Sequence, residues 1–143
     1  MLAAADPLLS IDSSVAIPLI VEGHEAHQPA MTWRASRRLV LCGHAWIETY
    51  AVITRLPGGS RLDPADASRI LTANFGPPLT PPAECLAESI HQMAAAGIAG
   101  GATYDGWIAL TARAAGVRLA SADMRAESTY RRLGVDVELV DLY

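Results

Sequence analysis

Asp12, Glu48, Asp105 and Asp123 are the side chains whose type and spacing promise chemistry. Asp12 closes the apolar run Leu8-Leu9-Ser10-Ile11, and Asp123 follows the run Val117-Arg118-Leu119-Ala120. Glu48 falls in the first turn of the helix after Leu39-Val40-Leu41-Cys42, and Asp105 in the first turn of a helix opened by Thr103. Each acid thus stands at a strand-to-helix transition or a helix N-terminus. Taken singly, each reads better as structural than catalytic, and Asp105 or Asp123 fits a helix cap, because a carboxylate accepts hydrogen bonds from the free amides of a first turn. Taken together, four carboxylates in one place repel unless some are protonated or a divalent cation joins them. Hard oxygen ligands, with no cysteine or histidine in the set, favour Mg2+ or Mn2+ over Zn2+. Such an ion lowers the pKa of a bound water and clamps phosphoryl oxygens.

Whether the four acids converge depends on the elements that carry them. After the first strand, Ser13 or Ser14 caps a helix over 15–21, and a polar-faced helix covers 24–38. The second strand, at 39–42, leads into an amphipathic helix over 45–56 that Pro57-Gly58-Gly59 stops. Asp63-Pro64 opens a helix to about residue 74, with the aspartate as N-cap and the proline in the first turn. Residues 76–80 are proline-rich and fit only a short or edge strand. Helices follow over 82–96 and 103–115, then a strand at 117–120, a helix over 124–133 and a last strand at 135–140. Alternating strands and helices predict a parallel sheet with helices on both faces. In such sheets the ligand site lies outside the carboxyl ends of the strands, the edge to which all four acids belong.

Composition sets the limits. At 143 residues, 51% hydrophobic and 18% charged, the chain fits one domain over 1–143 with a substantial core. Eleven basic against 15 acidic side chains leave a net charge of −4, so bulk charge does not mark a nucleic-acid binder. Every basic residue is arginine, which excludes a Walker A lysine, a Schiff-base lysine and a kinase lysine. Cys42 and Cys85 have neither disulfide-framework nor zinc spacing and read as reduced thiols of a cytoplasmic protein. Met1-Leu2-Ala3-Ala4-Ala5-Asp6-Pro7 has no basic stretch before its short apolar run, so no secretory signal is expected, and no stretch reads as a membrane span.

Four pieces in order carry a resemblance. Ser10-Ile11-Asp12-Ser13-Ser14-Val15, Glu48-Thr49-Tyr50-Ala51-Val52-Ile53-Thr54-Arg55-Leu56-Pro57, Thr103-Tyr104-Asp105-Gly106-Trp107-Ile108-Ala109-Leu110-Thr111-Ala112 and Ser121-Ala122-Asp123 resemble the PIN-domain ribonucleases, in particular VapC-like toxins. The resemblance spans nearly the whole chain. It implies a three-layer α/β/α sandwich around a mostly parallel five-stranded sheet. It also implies an Mg2+-dependent endoribonuclease, with Mn2+ as an alternative ion. Asp12 and Asp105 would contact the metal most directly, with Glu48 and Asp123 completing the catalytic set. Ser13 and Ser121 would orient these carboxylates. The expected partners are RNA, a VapB-like antitoxin and a second copy in a homodimer. Gly106 departs from the resemblance, standing where alanine is more usual.

An acidic site that receives a polyanion needs cations at its rim. Arg55 and Arg125 are the best candidates, because they follow elements of the catalytic edge. Tyr104 and Trp107 flank the third acid, where an aromatic ring can stack a base, although Trp107 reads better as core. His44 and Glu48 share a helix face, four residues apart, and the resemblance gives His44 no role. Two other functions are weighed. One is a catalytically weak PIN-fold module that binds RNA or protein, which loss of an acid would favour. The other is a metal-dependent phosphatase-like α/β domain, which needs a paired D-x-D where this chain has Asp12-Ser13-Ser14.

Overall fold

The short apolar runs form strands, and the computed structural model, which describes residues 4–143, joins them edge to edge. Residues 1–3, part of the segment read above as lacking a targeting signal, lie outside the described residues. Strands β1 (Leu8–Ile11), β2 (Arg38–Leu41), β3 (Arg118–Ser121) and β4 (Val137–Leu139) make one sheet in the order β2-β1-β3-β4. Every pairing is parallel, with Ser10 opposite Val40 on one side and Leu119 on the other. Parallel sheets are covered on both faces, and the last three residues of β1, β2 and β3 are accordingly all buried.

Among the described residues the sheet has four strands, not five. Around residues 76–80, only Leu79 pairs. Its amide donates to the Leu41 carbonyl at 2.8 Å, and its carbonyl accepts from the Gly43 amide at 2.9 Å. Pro77, Pro78, Pro81 and Pro82 have no N–H to extend the ladder, so the fifth strand shrinks to a single bridge beside β2.

Seven helices flank the sheet among the described residues: α1 (Ser13–Ile20), α2 (His27–Arg34), α3 (Gly43–Ile53), α4 (Pro64–Phe75), α5 (Ala83–Ala95), α6 (Ala102–Ala114) and α7 (Glu127–Arg132). Several bounds depart from the sequence expectation. Helix α2 is far shorter than 24–38, because Ala35 takes a positive φ of 38° that ends it before the chain enters β2. Helix α3 starts at Gly43, with the Cys42 sulfur as its cap, accepting from the Ala45 amide at 3.5 Å. Thr103 does not cap α6; the helix begins at Ala102 behind Gly101, with no side-chain cap. Residues 124–126 form turns, so α7 begins only at Glu127. No helix among the described residues is long and apolar enough to cross a membrane.

Ile11, Leu41, Ile53, Leu71, Ile108 and Leu119 are fully buried, each contributing about 1.5–3 kcal/mol by leaving water. The departure at Gly106 has a packing reason. A Cβ there would lie 3.2 Å from the Met93 sulfur and 3.3 Å from Leu133 Cδ1, so the glycine lets α6 press close to α5 and to the end of α7. Since β1, β2 and β3 run the same way, their carboxyl ends share one edge, where the chain places Asp12, the start of α3, and Asp123.

Candidate active site

Asp12 is both the cap and the centre. It follows β1 in extended backbone and caps α1, where Oδ1 accepts from the Ser14 amide at 3.1 Å and from the Ser14 hydroxyl. Its other oxygen accepts from the Tyr130 hydroxyl at 2.7 Å. Only 3% of Asp12 is exposed, and burial pushes its pKa above the ordinary carboxylate value, against the pull of the hydroxyls of Ser121, Ser14 and Tyr130 and the Ser14 amide.

Asp105 lies in the first turn of α6, as expected. Its pKa is pushed up to about 6, first by burial and then by the negative charges of Asp12, Asp123 and Glu48, while the Tyr130 hydroxyl pulls it down. All four acids therefore share one electrostatic environment, and Tyr130 serves both Asp12 and Asp105. Glu48 sits in the second turn of α3 rather than the first, because that helix starts earlier than its apolar pattern indicated. Among the described residues, no arginine or histidine stands within ion-pair distance of Asp12, Glu48 or Asp105. Asp123 alone has a cation, Arg125 Nε at 3.4 Å, and that arginine is almost wholly in solvent.

The hydroxyls differ from the expected set. Ser121 Oγ accepts from the Asp123 amide at 3.0 Å and stands 3.4 Å from Ser14 Oγ. Ser14 Oγ also accepts from the Ala122 amide at 2.8 Å. The serine hydroxyl that bonds Asp12 beside that of Tyr130 is thus Ser14, whereas Ser13 lines an adjoining cleft of about 260 Å³ with Ser14, His24, Asp123, Arg125 and Tyr143. Ser14→Ala is expected to cost about 1–3 kcal/mol in urea unfolding, because it leaves a buried carboxylate short of a donor. Ser13→Ala is expected to stay within about 0.5 kcal/mol, as surface changes usually do.

Arg125 belongs to the site's rim, and Arg55 does not. Arg55 lies beyond the far end of α3, seven residues after Glu48, about 10 Å further along the helix direction at a rise of about 1.5 Å per residue. Tyr130, fully buried, is the member that sequence reading missed. Burial and the negative charge of Asp12, then of Asp105, raise its pKa, so the hydroxyl keeps its proton and donates. A clue was present: a tyrosine in the apolar stripe of a late helix needs a polar partner once buried.

The fold is a parallel α/β sheet with acids at the carboxyl ends of its strands, the edge where ligands bind in folds of this class. The PIN domain family model matches residues 9–132, and the chain belongs to that family. It is 46% identical over 131 residues to ribonuclease VapC27 of Mycobacterium tuberculosis, covering 92% of this chain and 96% of that one. It is 39% identical over 138 residues to ribonuclease VapC40 of the same species, covering 93% and 99%. The fold is also similar to a chain in the crystal structure of VapBC2 from Rickettsia felis bound to a promoter DNA fragment, with a TM-score of 0.64, 12% identity, and 94% and 100% coverage.

Proposed function

We propose that this protein is a metal-dependent endoribonuclease, the toxin of a VapBC-type toxin–antitoxin pair. The observation that carries the reading is the buried carboxylate of Asp12 beside Asp105, with no counter-charge among the described residues. Hard oxygen donors with excess negative charge fit Mg2+ or Mn2+. Among the described residues, no three His, Cys, Asp or Glu side chains already stand at the spacing of a closed cage. Holding an ion therefore requires rotamer changes at the less buried Asp105, Glu48 or Asp123, while Asp12 is fixed by Ser14 and Tyr130.

When bound, such an ion supplies an activated water and neutralises charge on the phosphodiester. The chain's own residues hold and orient. Asp12 and Asp105 would hold the ion most directly, and Glu48 and Asp123 would complete the set. Ser14 and Tyr130 fix the Asp12 carboxylate, Ser121 holds the Asp123 backbone amide, and Arg125 offers a guanidinium to an RNA phosphate beside Asp123. The partner is a VapB-like antitoxin, in an assembly built on a homodimer of this chain. One folded domain carries all of this, and the cytoplasm, where the RNA substrate resides, is its place of action. The direct test is incubation with a panel of structured RNAs. Cleavage in Mg2+ that EDTA stops is the expected result; equal cleavage with and without EDTA, or none, sinks the reading.

A further inference from the structure

Beside the acids stands an aromatic pair that no step above uses. His44 and Tyr104 stack nearly parallel, with ring centroids 5.2 Å apart and planes at 10°. His44 is in the first turn of α3, one turn before Glu48, and Tyr104 immediately precedes Asp105 on α6. The pair therefore bridges the starts of the two helices that carry two of the four acids. Tyr104 is 62% exposed, and Ile47, three residues along the His44 face of α3, is 64% exposed. Burying these surfaces on the protein's own core would be the ordinary use of such side chains, and the fold leaves them open.

We propose that the stacked His44–Tyr104 pair is a platform for the base of an unpaired nucleotide next to the cleaved phosphodiester. The proposal rests on the ribonuclease reading and adds a subsite to it. Charge explains why this side of the site needs a base contact. Arg125 serves the Asp123 side, while among the described residues Glu48 and Asp105 have no arginine in ion-pair contact to attract phosphate. Stacking is an uncharged source of affinity that survives beside carboxylates, and every base has a face to offer. A ring already held against its neighbour loses little freedom when a base settles on it. Ile47 extends the same surface as an apolar shelf. A base inside a duplex cannot stack there, so the substrate class is single-stranded or looped RNA.

The test is a binding cycle read by anisotropy of a labelled single-stranded RNA. It is run in Mg2+ on an Asp12→Asn background so that the RNA stays intact, with an abasic site walked along either side of the cleaved position. Removing one base is expected to weaken binding about 5- to 150-fold, the range of one aromatic–base stack. Tyr104→Ala is expected to weaken binding of intact RNA by a similar factor and to erase the abasic penalty, whereas Tyr104→Trp keeps it. A penalty that survives Tyr104→Ala, or no penalty at any position, overturns the platform. Loss of antitoxin binding by Tyr104→Ala with RNA binding intact overturns it too, assigning the pair to a protein contact. Wild-type cleavage, measured in parallel, separates the two readings. Cleavage with a flat cycle removes the platform alone; a Tyr104-dependent penalty without cleavage removes the ribonuclease reading and keeps the platform.

Discussion

Asp12→Asn is expected to abolish Mg2+-dependent RNA cleavage while leaving the metal-free protein as heat-stable as the parent, or more so. The two halves have different causes. Activity falls because the central ligand loses its charge. A metal contributes several kcal/mol at the transition state, and each ~1.4 kcal/mol is tenfold in rate, so the loss is on the order of a thousandfold. Stability holds because the asparagine oxygen still caps α1 and accepts from Ser14, while the cost of a buried, uncompensated charge disappears. Cleavage rate and Tm, measured on one preparation, check both halves. Loss of fold together with activity would make Asp12 a structural cap first, and cleavage at the parental rate would remove it from the site.

The second large effect concerns pH and metal together. Asp105 titrates at about 6 in the folded chain against 3.8 for the free group. Between those values the folded state keeps a proton that the unfolded chain has released. Raising the pH therefore favours the unfolded state: this contribution to stability is full below 3.8 and is lost as the pH passes about 6. Asp12, raised by burial, acts with the same sign. The Tm of the EDTA-treated protein should thus fall as pH climbs through this window, and Asp105→Asn should flatten the fall. Mg2+ should reverse it, because the ion binds the ionised carboxylates of the folded state only. A hundredfold excess over Kd contributes about 2.7 kcal/mol, or about 5–10 °C in Tm for a chain this size. A Tm that rises with pH in EDTA, or that Mg2+ does not move above pH 6, contradicts the charge account of the site.

Much of this site was legible from residue order. Asp12 and Asp123 stand directly after buried runs, and a parallel sheet sends such residues to one edge whatever the details of packing. What escaped was what depends on three dimensions. Ser13 and Ser14 are equivalent in a pattern, but the amide and hydroxyl two residues after the cap are the ones that reach Oδ1. Tyr130 meets Asp12 from more than a hundred residues away, and no spacing encodes that. The stop of α2 lies in the backbone angle of one alanine, Ala35, which composition does not mark. Arg55 lies past the end of α3, because a helix that starts at the sheet's carboxyl edge carries its last residues away from it.

The hydroxyl of Tyr130 has a consequence for how chains of this kind are judged. An inventory of acids would score a Tyr130→Phe chain as intact, with every carboxylate in its place along the sequence. Yet its Asp12 would have lost the tether from α7 and be held only by Ser14, two residues along its own segment. Under the proposed reading, competence would then rest on five side chains, one of which carries no charge at all.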